Sequence, residues 1–410
     1  MKTVLLIGTA GLLALLSTIG ASLPFPILPP LFALESGNQI THFLGLPPKL
    51  LFGLALMINP LGLLIGSAVM GPLSDRYGRR PLLLATSIGA ALGHALTAAA
   101  LLMQSYPLFI LARFGTGLLE GNGAVARALL ADRLSGPLRM RALSCLNGAF
   151  YLGWLAGPLL AGFTLHWGIA VPFAIAVAAL LLVAVLVALL LPPESASTAT
   201  TSWWQVARDR HALNLLRDGP LRSLFMVHLT YCCGVTAFYE YYALWLVEVA
   251  GYDARGIAWV NTGLCLSLTV SALFAGGASR FDPLRRAAFH ACCGAAAVAL
   301  VALGNVQLGL LAIVLFGIPN AFYNAVMQNW CVERFDGHGR GAVLGLLSTA
   351  FCLANIIMAL AGSVLTLFDT RLVLLLGALL SAGAGWRILG WRARMGASGV
   401  ATGVASGVAP

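Results

Sequence analysis

The chain has very little charge. Only 9% of its 410 residues are Asp, Glu, Lys or Arg, and its mean hydropathy is +0.91, whereas a soluble domain has about 25% charged residues. Too little polar material is present to cover a water-facing surface. Residues 50–74 and 82–112 contain no charged residue at all, and a bilayer is crossed by ~20 apolar residues. We conclude that the chain is an integral membrane protein. We expect helices, because the alternating strands of a membrane barrel are not seen.

Several sequence motifs are also missing. The eight cysteines form no CxxC pair, and the spacing of Cys and His fits no zinc site, so we expect no metal and read the cysteines as small buried side chains. The phosphate-binding pattern GxxxxGK[ST] does not occur, which argues against an ATP-driven pump. We find no catalytic constellation and expect no enzymatic activity.

The hydrophobic pattern predicts twelve membrane spans. A thin break at His166–Gly168 separates spans five and six, and another at Gly304-Asn305 separates spans nine and ten. The predicted spans are 4–34, 50–70, 82–103, 107–130, 142–165, 169–191, 222–247, 257–277, 287–305, 307–330, 341–367 and 371–389.

Arginine is distributed unevenly between the predicted loops. With the N-terminus inside, the outer loops hold only Lys49, Arg255 and Arg371, and the remaining loop arginines lie inside. Cytoplasmic loops carry such an excess, so we expect both termini in the cytoplasm of a multi-pass inner-membrane protein. This placement also explains the net charge of +10 without a nucleic-acid partner.

The longest polar segment lies in the middle of the chain. We expect a six-helix half over 1–191, a cytoplasmic linker over 192–221, a second six-helix half over 222–390 and a tail over 391–410. In the linker, Trp203 and Trp204 beside arginines are typical either of a helix on the inner membrane surface or of a solvated linker. The segments Ala131–Leu143 and Val332–Leu344 align without a gap. This match favours a parallel repeat, which in transporters puts the substrate site between the halves.

Three sequence patterns resemble those of a known family. The segment "GPLSDRYGRRP", from Gly71 to Pro81, resembles the signature loop between spans two and three of the major facilitator superfamily. Arg113, Gly117 and Gly121 resemble its span-four signature. Gly153, Gly157-Pro158 and Gly162 resemble the span-five motif of drug:proton antiporters, with Ser144 and Ala161 where glycines are usual. The overall resemblance is to the tetracycline-resistance type of antiporter, and it implies a monomeric secondary transporter with twelve spans.

The resemblance assigns a gating role to the signature loop. It implies that Asp75 latches the two halves on the inner side near Gly341 at the start of span eleven, and Arg133 is a further candidate partner. In span five, Pro158 should kink the helix, and the GxxxG pair is either a pivot or seal, or an ordinary packing face. The gating set is Gly71, Asp75, Arg76, Gly78, Arg79, Arg80, Arg133, Gly153, Gly157 and Pro158.

Charged residues within the predicted spans are candidates for coupling, because burying them is costly. Arg113, Glu120 and Arg127 recur every seven residues in span four and therefore share one face. We hypothesise that Glu120 carries the proton beside Arg113. The alternatives are a static Glu120–Arg127 pair and, for the proton site, Glu240 of span seven.

A second polar group is predicted in the later spans. His228, Tyr231 and Tyr239 share one face of span seven, and span ten adds Asn320 and Asn324. These side chains predict a substrate cavity, while Tyr241 and Tyr242 fit either the cavity or an interfacial anchor. Pro319 is expected to break span ten, and span three contributes His94.

These patterns together favour an exporter of a small organic molecule, such as a drug or a siderophore-like metabolite, by proton antiport. Its partners would be the substrate, protons and the bilayer. We expect no cofactor, because the proton gradient would drive transport. Uptake by proton symport is the alternative, and a non-transporting sensor or scaffold is a remote one. Tetracycline-type antiporters have an acid where this chain has Gly93, and span one lacks an acid. These departures argue against tetracycline itself.

Overall fold

The protein is an all-helical membrane protein with twelve spans in two six-helix halves. The computed structural model describes residues 2–33, 39–191, 212–275, 282–335 and 340–405. The first half contains α1 (Lys2–Ser22), α2 (Leu28–Ala33), α3 (Pro48–Tyr77), α4 (Arg79–Leu102), α5 (Tyr106–Glu120), α6 (Gly123–Arg133), α7 (Gly136–Thr164) and α8 (Val171–Leu190). The second half contains α9 (Gly219–Ala250), α10 (Ala254–Ala275), α11 (Pro283–Ala302), α12 (Val306–Arg334), α13 (Arg340–Leu365) and α14 (Thr370–Ala405).

Ten helices in the described part are long and apolar enough to cross a bilayer. The fourth span is divided between α5 and α6, and α10 supplies the eighth. Helices α7 and α8 are separated at Gly168, which has a φ of 134°, and α11 and α12 at Gly304, with a φ of 80°. The thin breaks predicted from the sequence are therefore confirmed. The linker helix was predicted over residues 203–218. Residues 203–211 lie outside the described residues, and Ala212–Arg217 forms a short 3-10 helix.

Three predicted spans differ from the structure in their continuity. The first is broken after Ser22, because Pro24 and Pro26 cannot donate backbone hydrogen bonds. The fourth is broken at Gly121-Asn122, where low helix propensity favours a turn. The expectation of a break at Pro319 is wrong, because α12 continues through this residue; a membrane helix can tolerate one lost hydrogen bond.

The bundle has two different ends, the arginine face and the opposite face. The arginine face carries the α3–α4 and α6–α7 connections, and the opposite face carries the start of α3 and the end of α9. Near the opposite face the halves pack together through α3 on α13 and α7 on α10. A Cβ atom at Gly162 of α7 would lie 2.5 Å from the Cβ atom of Ala258 of α10.

Charged and aromatic side chains reinforce this contact between the halves. The Nζ of Lys49 lies 2.8 Å from the Oε1 of Glu248. The rings of Phe163 and Trp259 pack edge to face, with centroids 5.3 Å apart. The ring of Phe25 lies 5.4 Å from that of Tyr242. The halves are therefore in contact at the opposite face in this conformation.

Candidate functional site

Helices α3 and α5 approach each other closely enough that the facing positions must be glycine. A Cβ atom at Gly62 would lie 2.9 Å from the backbone nitrogen of Leu118, and one at Gly121 would lie 2.7 Å from backbone atoms of α3. Small residues allow such contacts between membrane helices. The close approach brings Asn59 of α3 beside the polar residues of α5.

Glu120 lies at the centre of a buried polar cluster. Its Oε1 is 3.1 Å from the Nε2 of His94, and its Oε2 accepts a hydrogen bond of 3.2 Å from the side chain of Asn59. Glu120 is 8% exposed and His94 is fully buried. A buried carboxylate needs partners of this kind. The geometry brings together two groups that can each exchange a proton, shielded from bulk water.

Arg113 links this cluster to the broken end of α1. The backbone N–H of Phe25 donates to the carbonyl of Ser22, so it does not serve the carbonyl of Ala21. The Nη2 of Arg113 donates to that Ala21 carbonyl over 3.2 Å. Its Nη1 is buried and has no hydrogen-bond partner in the described part of the chain. Arg113 therefore caps the end of a helix, as cations favourably do.

His94 also contacts α1. Its imidazole lies against the backbone at Gly20, where a Cβ atom would come within 2.8 Å of the Cε1 of His94. The Nδ1 of His94 has no partner among the described residues. The cluster is thus built from α1, α3, α4 and α5, and it touches α1 at two consecutive residues.

The alternative pairing of Glu120 with Arg127 is wrong. Arg127 lies on α6, beyond the break at Gly121-Asn122, and its guanidinium stands 5.3 Å from the ring centroid of Phe150. Asn59 was not predicted as a site residue, although a polar asparagine in an otherwise uncharged span could have indicated it. Asn122, which is buried at the helix break, was also not predicted.

The polar residues predicted in spans seven and ten do meet. The hydroxyl of Tyr231 donates to the Oδ1 of Asn320 over 3.1 Å, and Asn324 donates to the same oxygen over 3.0 Å. Asn320 in turn donates to the hydroxyl oxygen of Tyr239 over 3.1 Å. Tyr239 and Asn324 are half-buried. The result is an uncharged network that spans α9 and α12.

His228 lies next to this network and is not hydrogen-bonded to it. Its ring stacks on Tyr323 with centroids 6.4 Å apart, and its Nε2 is 3.4 Å from the Sγ of Cys232. Within the described residues, the Nδ1 of His228 and the hydroxyl of Tyr323 are buried without partners. Tyr323 was missed, and its ring lies 3.4 Å from that of Tyr231.

Asp75 forms its ion pair within the signature loop. Its Oδ1 is 2.7 Å from the Nη1 of Arg79, and Arg79 also lies 3.1 Å from Asp132 at the end of α6. In this conformation Asp75 therefore pairs with Arg79, and its role as a latch at Arg133 or at the start of α13 stays a prediction. Gly78 joins α3 to α4 with a φ of 93°, which favours glycine.

The other members of the predicted gating set surround this loop. The guanidinium of Arg80 donates to the carbonyl of Ala188 over 2.6 Å, which ties the loop to α8. Arg76 stands 5.6 Å from the ring centroid of Tyr77. Gly71 lies in the last turns of α3.

The GxxxG pair of α7 packs against α1 within the first half. A Cβ atom at Gly153 would lie 2.6 Å from the Cβ of Thr18, and one at Gly157 would lie 2.8 Å from the carbonyl of Ile19. Pro158 lies inside the continuous helix α7. The packing face predicted as one alternative is therefore present, and Gly162 is the residue of this motif that contacts the second half.

Comparison with known proteins identifies the family. The model of the Major Facilitator Superfamily matches residues 10–287, and the chain belongs to this superfamily. The tetracycline resistance protein, class B, of Escherichia coli is 33% identical over 166 residues, which are 40% of this chain and 38% of that protein. The chain thus matches about two fifths of the length of this curated relative.

Solved structures share the fold over nearly the whole chain. The human organic anion transporter MFSD10 (TETRAN) has a TM-score of 0.66 at 19% identity and covers 94% of this chain and 99% of its own. A D-xylose-proton symporter has a TM-score of 0.74 at 17% identity and covers 94% of this chain and 96% of its own. The resemblance stated from the sequence motifs is confirmed.

Proposed function

We propose that this protein is a secondary transporter that exports a small organic molecule in exchange for protons. The observation that carries the proposal is the buried contact of Glu120 with His94 beside Arg113. Ionisable residues inside membrane spans mark proton relays and ion pathways. The proton is carried by the Glu120–His94 pair, with Asn59 holding the carboxylate in place.

The second half supplies the contacts for the substrate. The network of Tyr231, Tyr239, Asn320 and Asn324 is uncharged, and each hydroxyl or amide can donate or accept a hydrogen bond. Such groups on aromatic walls orient an organic ligand. Proton exchange therefore belongs to the first half and substrate recognition to the second.

Antiport requires that the site face one side of the membrane at a time. The contact of the halves at the opposite face supports a conformation closed on that side, and rocking of the halves would open it. We assign the arginine face to the cytoplasm of an inner-membrane protein, since cytoplasmic loops carry excess arginine. The closed side is then external.

The relatives support export as the direction. The class B relative is named for resistance to tetracycline, and resistance fits removal of the compound from the cell. The family resemblance implies an acid where this chain has Gly93, so we propose a different organic substrate, such as another drug or a siderophore-like metabolite.

Comparing metabolites in cells with and without the gene tests the direction of transport. We expect an organic compound to accumulate inside cells that lose the protein, and re-expression of the wild-type gene to reverse the accumulation. Lower internal levels of that compound in the deleted cells would contradict export and would favour uptake by symport.

A further inference from the structure

We propose that Asn59 is a positioning residue that confines the transported proton to one oxygen of Glu120, the Oε1 that faces His94. The proton then enters and leaves the site through the imidazole ring of His94. This inference rests on the proposed function, in which Glu120 carries the proton. It adds which atom holds that proton and through which side chain the proton arrives.

The two oxygens of Glu120 have different hydrogen-bond partners. The Oε1 is 3.1 Å from the Nε2 of His94, and the Oε2 accepts from the Nδ2 of Asn59 over 3.2 Å. All three side chains are buried. An amide nitrogen can only donate, whereas a ring nitrogen of neutral histidine either donates or accepts, depending on the tautomer. The two sides of the carboxylate therefore differ in whether their partner can receive a proton.

The backbone of α5 fixes the orientation of the Asn59 amide. The Nδ2 of Asn59 also donates to the backbone carbonyl of Arg113 over 3.3 Å. If the amide turned over, its Oδ1 would face both this carbonyl and the Oε2 of Glu120. Both hydrogen bonds would be lost, and buried acceptors would face each other, which is costly. Asn59 therefore presents an N–H to Glu120 whether or not the acid is ionised.

The packing of α3 on α5 holds Asn59 in this place. The backbone of Asn59 lies directly against Gly117, where a Cβ atom would come within 3.1 Å of the carbonyl carbon of Asn59. One turn further along α3, a Cβ atom at Gly62 would lie 2.9 Å from the backbone nitrogen of Leu118. Such close contacts keep the two backbones together, so the N–H of Asn59 stays beside Glu120 when the acid takes up a proton.

A proton on the Oε2 of Glu120 would point at an N–H group. The O–H at that position would face the donor of Asn59, and both groups would lose a hydrogen bond. A proton on the Oε1 instead donates to the Nε2 of His94. The Oε2 then becomes the carbonyl oxygen of the acid and still accepts from Asn59. The acid proton therefore belongs on the Oε1.

His94 can pass a proton to this oxygen without moving its ring. Its Nδ1 is buried and has no hydrogen-bond partner among the described residues, and imidazole is a common proton shuttle. A proton binds to the Nδ1, the Nε2–H bond breaks, and the released hydrogen forms the O–H bond of Glu120. The pair gains one proton, its charge changes from negative to neutral, and His94 ends as the Nδ1–H tautomer. Release of the proton reverses these steps.

Infrared difference spectroscopy of the full chain in lipid nanodiscs tests the position of the proton. Spectra in acidic and alkaline buffer are compared, and the C=O band of protonated Glu120 is the one that is lost in Glu120→Gln. We expect Asn59→Leu to shift this band to higher wavenumber, because the C=O at the Oε2 loses its donor. Asn122→Leu is the matched control and should leave the band in place, since Asn122 is buried beside Ser17 and Thr86 instead.

Nitrogen NMR of wild-type protein with isotopically labelled histidine gives a second measurement, which decides the question even if Asn59→Leu does not fold. The signals of His94 are those that disappear in His94→Gln. We expect the Nε2 to carry the hydrogen while Glu120 is ionised and the Nδ1 to carry it once Glu120 is protonated. The two nitrogens should therefore exchange their chemical-shift ranges between alkaline and acidic buffer.

Two results would overturn this inference. A C=O band that stays in place in Asn59→Leu would put the proton on the Oε2, and an Nε2 of His94 that keeps its hydrogen in both buffers would exclude the route through the ring. If either occurs while proton-driven transport still depends on Glu120, this inference alone is wrong. If transport is independent of protons, the proposed function itself is wrong.

Discussion

The Nε2 of His94 lies 3.1 Å from the Oε1 of Glu120, in a pocket that α1, α3 and α5 close. The two residues come from different spans. Within the described residues, neither forms an ion pair with a third residue. Because the Nδ1 of His94 has no partner there, the Nε2–Oε1 contact is the bond through which His94 would act on the carboxylate that we propose as the proton carrier.

Replacing His94 should therefore impair proton use. Glutamine can still bond to Glu120 but cannot take up a proton, so we expect His94→Gln to lower proton-driven transport at least about tenfold and to leave the KM for substrate unchanged. Initial rates in membrane vesicles would measure both. His290→Gln is the matched control, because His290 stacks on Phe322 in the second half. Equal losses in the two variants would contradict a special role for His94.

The contact between α1 and α7 makes a prediction about stability. A Cβ atom at Gly157 would overlap Ser22 and the carbonyl of Ile19, so we expect Gly157→Ala to lower the free energy of unfolding by ~1–3 kcal/mol. Nothing lies within 4 Å of a Cβ atom at Gly148 of the same helix. Gly148→Ala should therefore stay within about 0.5 kcal/mol of wild type. Thermal unfolding in detergent would compare them, and equal melting temperatures would refute the tight packing.

The ion pair at the opposite face should stabilise the closed state. Lys49 and Glu248 are 29% and 24% exposed, and Glu248 also accepts from Thr370 over 2.5 Å. We expect Lys49→Glu or Glu248→Lys alone to reduce the closed-to-open ratio up to about fivefold, as ~1 kcal/mol implies. Fluorescence energy transfer between labels on the two halves would report this ratio. The double exchange should restore it, and a double variant as open as the singles would refute the pair.

The signature loop offers a comparison of two acids that share one arginine. Asp75 and Asp132 both bind Arg79, but the family resemblance predicts a second role only for Asp75, as a latch when the opposite face opens. We expect Asp75→Asn to reduce transport strongly without changing the melting temperature, and Asp132→Asn to reduce it less. Transport rates and unfolding curves of both variants check this expectation. Wild-type transport in Asp75→Asn would exclude the latch.

The sequence was sufficient to predict the membrane spans, because the thickness and the apolar interior of the bilayer determine their length and their lack of charge. It also predicted that Tyr231, Tyr239, Asn320 and Asn324 belong together, since helical periodicity puts each pair on one face. The breaks in spans one and four were not predicted. Pro24, Pro26 and Gly121 were visible, but a break requires that neighbouring side chains satisfy the freed backbone groups.

The partners of Glu120 could not be predicted from helical periodicity. His94 and Asn59 come from other helices, and their approach depends on the glycine contacts between α3 and α5. Arg127 shares the predicted face with Glu120, yet the turn at Gly121-Asn122 redirects it towards Phe150. Contacts within one helix follow from spacing, whereas contacts between helices depend on packing.

Transport driven by an imposed pH gradient in everted membrane vesicles tests most directly whether Glu120 carries the proton. The substrate is the compound that accumulates in cells lacking the gene, and wild type, Glu120→Gln and the control Glu240→Gln are compared. We predict that Glu120→Gln abolishes proton-driven accumulation but still exchanges labelled for unlabelled substrate, while Glu240→Gln keeps both activities. Proton-driven accumulation at the wild-type rate in Glu120→Gln would contradict this account.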